Sequence, residues 1–323
     1  MNFGIIGTNF ISDRFVEAAR MTEGASPLAI YSRGEETART FAERHGIKRT
    51  YTSLDAMLCD PDIDAIYVAS PTMLHAEHTI AALRHGKHVL CEKMLAANLS
   101  EGEEMKREAE KAGLVLIEAM RPDFDKNIQY AVNSIASLGK IDHASLEFCQ
   151  RSSRYDAFLH GDTPNAFNKD MKNSALSDIG IYPLHTALLL FGIPRGYSAT
   201  GTLLRGGFLG EGSIVLDYGD FSATVNYSKI TEGENVSVIK GERGTVRIGR
   251  INEPEFFEMI FSTGSLFRVP KAPQESNMAN EIKEFIRLCE DPRGMERSAR
   301  LLSLSIEALR IADGVHKMLG FDF

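Results

Sequence analysis

Asn2-Phe3-Gly4-Ile5-Ile6 runs directly into Gly7-Thr8-Asn9-Phe10-Ile11-Ser12, an apolar strand followed at once by a glycine and a helix start. Such a turn leaves free backbone amides at a helix N-terminus, where a pyrophosphate binds. Gly7 permits the tight bend. The usual dinucleotide pattern has Gly at position 9 and Gly or Ala at position 12, where this chain has Asn9 and Ser12. Asn tolerates positive φ better than other non-glycine residues, and Ser12 is small, so the turn is expected to keep its geometry. Its place between strand and helix makes the nucleotide reading stronger than the degenerate pattern alone would.

The next 110 or so residues repeat the alternation. Strands are expected at 2–6, 27–31, 65–69, 88–91 and 115–118. Helices are expected at 12–21, 35–45, 54–59, 74–85 and 99–112, with Gly46, Gly86 and Gly113 as stops. Apolar strands alternating with amphipathic helices form a parallel sheet covered on both faces. Beyond Arg121-Pro122 a helix at 125–137 leads into eight longer runs between 143 and 269 that alternate with period two. These read as a large, mainly antiparallel open sheet. A helix near Asp178 interrupts the strands, and two more follow at 278–289 and 297–318. The expected organisation is therefore α/β: a doubly wound nucleotide-binding domain over 1–121 and an α+β domain over 122–323.

Composition limits the partners. With 43% apolar and 25% charged residues, a net charge of −8 and a pI near 5.7, the chain is expected to bind neither nucleic acid nor a membrane surface. No stretch is expected to be apolar enough to span a bilayer. Four scattered cysteines and a start without an export signal suggest a reduced, cytoplasmic protein.

The second strand ends Ala29-Ile30-Tyr31-Ser32-Arg33. NAD-specific folds usually place an acid there for the ribose 2′-hydroxyl, whereas Ser32 and Arg33 suit the 2′-phosphate of NADP. NADP is expected over NAD; alternatively Arg33 only caps a solvated turn. Lys93 follows the fourth strand in HVLCEKM, at the carboxyl edge where such sheets bind ligands. Asp178 and Tyr182 lie four residues apart in SDIGIYPLH, with Asp178 suited to an N-cap and Pro183 to the first helical turn. Taken singly, these residues and His185 read as a cap, a half-buried aromatic, a surface charge and a core histidine. Taken together they make a proton-transfer site. A tyrosine is too weak a base at neutral pH unless a cation such as Lys93 favours its phenolate, and Asp178 would orient the lysine or hold a substrate hydroxyl.

With those residues in view, the chain resembles the glucose-fructose oxidoreductase, inositol dehydrogenase and MocA-like family over essentially its whole length. GIIGTNFIS, AIYSR, ASPTMLH, GKHVLCEKM, SDIGIYPLH and NEIKEFI carry the resemblance in order and spacing. It implies a Rossmann domain followed by an α/β domain whose open sheet forms a homodimer or higher oligomer. It also implies Lys93, Asp178 and Tyr182 as the catalytic set, with cofactor contacts from Gly7, Thr8, Asn9, Phe10, Ile11, Ser32, Arg33, Ser70, Thr72, His75, Glu92 and Lys93. The implied reaction moves hydride between nicotinamide and a secondary alcohol or carbonyl of a sugar, polyol or cyclic diol. The alternative is a non-catalytic NADP-binding sensor on the same fold. Three departures stand out. Met94 replaces the motif's proline and is expected to loosen the Lys93 backbone. Asn173-Ser174 replace a glycine pair, and Asn168 replaces an arginine after Phe167.

His75, His78, His85 and His88 hint at a metal, but Gly86 separates the last from the helix, and no metal site is expected. The polar stretch 151–165 is read with even weight as a pocket wall or a surface connection. Arg121 is read as either facing the cleft or forming a salt bridge.

Overall fold

The computed structural model describes residues 1–271 and 276–321. In chain order its first segment contains β1 (Asn2–Ile6), α1 (Phe10–Met21), β2 (Ser26–Tyr31), α2 (Glu35–His45), β3 (Arg49–Tyr51), α3 (Leu54–Leu58), β4 (Ala65–Val68), α4 (His75–Arg84), β5 (His88–Glu92), α5 (Leu99–Ala112) and β6 (Leu116–Ala119). The six strands form one parallel sheet in the order β3-β2-β1-β4-β5-β6. Strand order reverses between β1 and β4, the switch point where doubly wound sheets take their ligands.

Every residue of β4 and β6 is buried, as expected of strands covered on both faces. The helices α2 and α5 end where glycine stops were expected, at left-handed Gly46 and Gly113. The strand β3 was not anticipated. It is a three-residue edge strand, Arg49-Thr50-Tyr51, too short and polar to show a hydrophobic period. Its Arg49 and Tyr51 side chains both reach Asp60, at 2.5 and 2.7 Å.

The second segment contains α6 (Lys126–Ser134), β7 (Ile141–Cys149), α7 (Tyr155–Leu159), α8 (Ile181–Phe191), β8 (Gly196–Leu203), β9 (Leu209–Asp217), β10 (Ser222–Ser228), β11 (Ser237–Gly241), β12 (Gly244–Ile248), β13 (Phe256–Phe261) and β14 (Leu266–Pro270). Its eight strands run in the order β14-β13-β12-β11-β7-β10-β9-β8. All pairings are antiparallel except that of β7 with β10. That parallel pair is accessible because α8 and the β8–β9 hairpin supply the long connection it needs. The strand expected from Glu234 begins only at Ser237. Asn235 adopts φ 55°, and its side chain bonds the N–H and the carbonyl of Cys149 instead.

Two helices close the chain, α9 (Asn277–Glu290) and α10 (Gly294–Met318). Residues 278–306 group with 1–120, and 307–321 group with the described part of 121–277. The grouping changes after residue 120 and returns to the first unit over 278–306. The apolar face of that segment explains the return: Phe285 packs 5.8 Å from Phe3, and Ser298 donates to the Leu116 carbonyl at 3.2 Å.

The start of α8 departs most from expectation. Asp178 is no N-cap; it lies inside a π-helical turn, Leu176–Gly180, and its N–H donates to the Ser174 carbonyl at 3.0 Å. Ser174 and Ser177 bond each other's backbone N–H groups in the capping role, at 2.8 and 3.0 Å. The helical run 169–191 is long and apolar enough to cross a membrane, contrary to expectation, but 78% of its most apolar window is buried. That burial is the state of a core helix.

Gly180 lies flat on the Tyr227 ring of β10, where an added Cβ would come within 2.6 Å of Cγ. Gly180→Ala should therefore destabilise the protein by about 1–3 kcal/mol. A lower urea midpoint at unchanged slope is the expected result.

Candidate functional site

The nucleotide turn is built at the end of β1. Gly7 has φ 109°, and a Cβ there would collide with the Ala69 carbonyl at the end of β4. Asn9 does not use positive φ; it is extended at φ −85°. It caps α1 instead: Oδ1 accepts from the N–H groups of Ile11 and Ser12 at 3.1 and 3.2 Å, and Nδ2 donates to the Ala69 carbonyl at 2.9 Å. One side chain thus closes the helix end and ties it to the neighbouring strand, which a glycine could not do. Ser12 is fully buried, consistent with the small residue expected there.

A cleft of about 330 Å³ opens at this turn. Gly7, Thr8, Asn9, Ser32, Arg33 and Ser70 border it, as expected of cofactor contacts, together with Tyr31, Pro71, Leu74 and His78. Among the described residues no carboxylate borders it. Phe10, Ile11, Thr72, His75, Glu92 and Lys93 do not border this cleft.

His75 is a staple instead. It is buried, with Nε2 at 2.8 Å from the Ser70 carbonyl and Nδ1 at 2.9 Å from that of Met94. Burial pushes its imidazole below the usual range, against the opposing pull of those carbonyls. His78 was missed as a cleft residue because its spacing from His75 was weighed only as a metal motif. Its Nδ1 meets Ser70 Oγ at 2.9 Å, and burial likewise pushes its pKa below the usual range. The other two histidines go elsewhere: His85 to Ala81 and Asp55, and His88 to the Val115 N–H.

Lys93 follows β5, half-buried. The preceding Glu92 is buried; Tyr67 donates to its Oε1 at 2.5 Å and the Lys93 N–H to its Oε2 at 3.2 Å. Glu92 therefore braces the loop. The backbone after Lys93, expected to be loose, is instead held. Met94 is buried, its carbonyl meets His75, and the Leu95 N–H donates to Glu118 Oε1 at 2.7 Å.

In the second unit Tyr182 stands on the first turn of α8, 5% exposed. Arg121 Nη2 donates to its hydroxyl oxygen at 3.2 Å, and the guanidinium lies 5.7 Å from the ring centre. Arg121 also approaches Glu253 at 3.7 Å. Asp178, one turn earlier, pairs at 2.6 Å with Lys229, a residue the sequence reading did not single out. Lys229 directly follows β10, where the strand's alternation ends and gives no signal. Gln150, Arg151, Ser152 and Ser153 join Asp178, Ile179 and Lys229 around a pocket of about 340 Å³, so part of the polar stretch is a pocket wall.

His185 is a core residue, its Nε2 at 2.9 and 3.0 Å from the two oxygens of buried Asp123. Phe167 stacks with Phe158 and Tyr155, and Asn168 caps the turn at 169–171 by accepting from the Asp170 N–H at 3.0 Å. Of the expected catalytic set, Lys93 thus belongs to the first unit, and Asp178 and Tyr182 to the second.

The GFO/IDH/MocA oxidoreductase family, described as having an NAD-binding Rossmann fold, matches residues 1–120, and the GFO/IDH/MocA C-terminal domain matches residues 134–247. The chain belongs to this family. The scyllo-inositol 2-dehydrogenase (NADP(+)) IolU of Bacillus subtilis is 37% identical, covering 99% of this chain and 97% of that protein. The trans-1,2-dihydrobenzene-1,2-diol dehydrogenase of Xenopus laevis is 28% identical over 89% of this chain and 88% of its own. Among solved structures, a 3-ketoreductase from Actinomadura kijaniata, in complex with NADP and TDP-benzene, superposes with a TM-score of 0.86 at 24% identity, covering 99% of this chain and 98% of that one. The family is one of NAD(P)-dependent oxidoreductases, as the motifs implied, and the architecture is the one expected of it.

Because Asn9 both caps α1 and anchors it to Ala69, Asn9→Ala should cost about 0.5–2 kcal/mol of stability. It should also weaken dinucleotide binding, which denaturation and cofactor titration measure separately. Asn9→Gly should cost less stability, since glycine is a tolerable N-cap.

Proposed function

We propose that the protein is an NADP-dependent oxidoreductase that interconverts a secondary alcohol and its carbonyl in a sugar, polyol or cyclic diol. The observation that carries this reading is Tyr182: a nearly buried hydroxyl with Arg121 donating to its oxygen, one helical turn from the Asp178–Lys229 pair. The names of the inositol and diol dehydrogenases among its relatives point to the same substrate class.

The first unit suits the cofactor. At the turn, the absent Cβ of Gly7 lets the backbone approach a pyrophosphate beside the N-terminus of α1, whose dipole favours an anion. Arg33 borders the cleft where an acid would select NAD, so its guanidinium is available to a 2′-phosphate. When bound, the nicotinamide supplies the hydride acceptor or donor.

The chain's own residues handle the proton. In the oxidative direction the substrate hydroxyl gives its proton to Tyr182 as the carbinol C–H leaves as hydride; in reduction Tyr182 returns it to the carbonyl oxygen. Arg121 fixes one face of the tyrosine oxygen by donating to it. Lys93 serves the same reaction, by its match to the family's lysine, contacting the nicotinamide. Asp178 accepts from a substrate hydroxyl.

The reading extends to a homodimer in the cytoplasm. Leu203, Val215, Leu266 and Phe267 on the strands of the eight-stranded sheet are exposed, which suits a partner copy, and the four cysteines are free thiols. Light scattering of the purified protein tests the dimer.

Tyr182→Phe should lower kcat by roughly 10²- to 10⁴-fold, the usual worth of a proton-transfer group, while NADP binding stays near that of the parent. Lys93→Ala should also lose most turnover. Both are followed by nicotinamide absorbance with a panel of inositols, sugars and cyclic diols, and unchanged turnover in both variants sinks the assignment.

Arg33→Ser should leave activity with NAD in place and reduce the preference for NADP by about 10-fold or more, the worth of a charge-assisted hydrogen bond. The ratio of kcat/KM for the two cofactors reads this directly.

A further inference from the structure

Lys229 is an unusual place for an ammonium. Its side chain is 3% exposed, and Nζ lies 5.1 Å from the ring centre of Phe167 and 5.6 Å from that of Phe208. These rings belong to an apolar cluster with Phe158, edged by Tyr155, Leu204 and Ile230. Nζ donates to the Ala166 carbonyl and to Asp178 Oδ2, each at 2.6 Å. A buried charge survives only when paired and hydrogen-bonded, and here the two partners and the ring faces provide that.

The pair is asymmetric. The cation is enclosed, whereas the Asp178 side chain is 35% exposed and borders the polar pocket formed with Gln150, Arg151, Ser152 and Ser153. Arg151, the other cation of that wall, is held at 2.6 Å by Asp156. A ligand in this pocket therefore meets chiefly Asp178, the more exposed member of its pair with Lys229.

We propose that Lys229 is a positioning residue: its enclosed ammonium holds Asp178 as an oriented, ionised acceptor for hydroxyl groups of a polyhydroxylated substrate. The inference rests on the assignment of Asp178 to the substrate side of the reaction. The pocket's amide, guanidinium, hydroxyl and carboxylate groups suit several hydroxyls rather than an aryl surface. With Lys229 removed, Asp178 keeps its place in the π-helical turn but loses the ammonium that donates to its Oδ2.

The test is a double-mutant cycle on Lys229→Met and Asp178→Asn, measured as kcat and KM with NADP and the best substrate from a panel of scyllo-inositol, myo-inositol, D-xylose and D-glucose. Each single variant should lose about 10-fold or more in kcat/KM, and the double variant should be no worse than Asp178→Asn alone. A coupling of that size is expected within one ion pair. Thermal unfolding of each variant runs in parallel, because a merely structural lysine would lower Tm and give losses in kcat/KM that add. Additive losses, or full kcat/KM in Lys229→Met beside an impaired Asp178→Asn, overturn the role of Lys229 and leave that of Asp178 standing. Full activity in Asp178→Asn, or no turnover across the panel, overturns the substrate-side reading and this inference with it. Should Lys229→Met fail to fold, Lys229→Gln takes its place in the cycle, keeping a donor for Ala166 while removing the charge.

Discussion

Gly7 can stand at the carboxyl end of β1 only because it has no Cβ, since the Ala69 carbonyl occupies the space a side chain would need. That close approach brings the β1–α1 turn against the end of β4 at the point where strand order reverses. The walls of the cleft in the first unit follow from it. Asn9 reaches the same carbonyl and caps α1, Ser70 continues from it into the wall of the cleft, and His75 and His78 meet the Ser70 carbonyl and hydroxyl. A chain with a larger residue at position 7 would have to move β4 or the turn, and the cleft would lose its shape.

The second unit is organised by a different constraint, the seating of α8 on its sheet. Tyr227 passes between Gly180 of the π-helical turn and Gly212 of β9, two positions where an added Cβ would strike its ring or hydroxyl. A π turn widens the helix by one residue and is common at functional sites. Here it carries Asp178 toward Lys229 while Tyr182 continues on the regular helix toward Arg121. Asp178 and Tyr182 each meet a cation. One is enclosed by aromatic rings, and the other is shared with Glu253.

Some of this was open to reading from the residues. Lys93, Asp178 and Tyr182 stood out by residue type and spacing, and the departures at Asn9 and Met94 were visible as departures. Their meaning was not. Asn9 was credited with tolerance of positive φ when its use is to cap, and Met94 was expected to loosen a loop that His75 and Glu118 hold in place. In both cases the error has one source: a residue was judged by its own backbone preference, while its role is set by partners distant in the chain. His78 failed similarly, because a spacing of three was weighed as a metal motif before its partner Ser70 was known.

By itself the sequence determined most of the strands and helices, though not the edge strand β3, together with the nucleotide turn and the residue types of the candidate site. Those are written in local periods, in glycine stops and in residue type, which need no knowledge of what lies across the fold. Only the tertiary structure decided the parallel pairing of β7 with β10, the return of 278–306 to the first unit, and the partners of the functional groups. Asp178 and Lys229 are separated by 51 residues, and Tyr182 and Arg121 by 61. A hydrogen bond or ion pair at that separation leaves no period in the chain. It exists only because packing against a shared sheet closes the intervening loops, and that closure is a property of the whole unit.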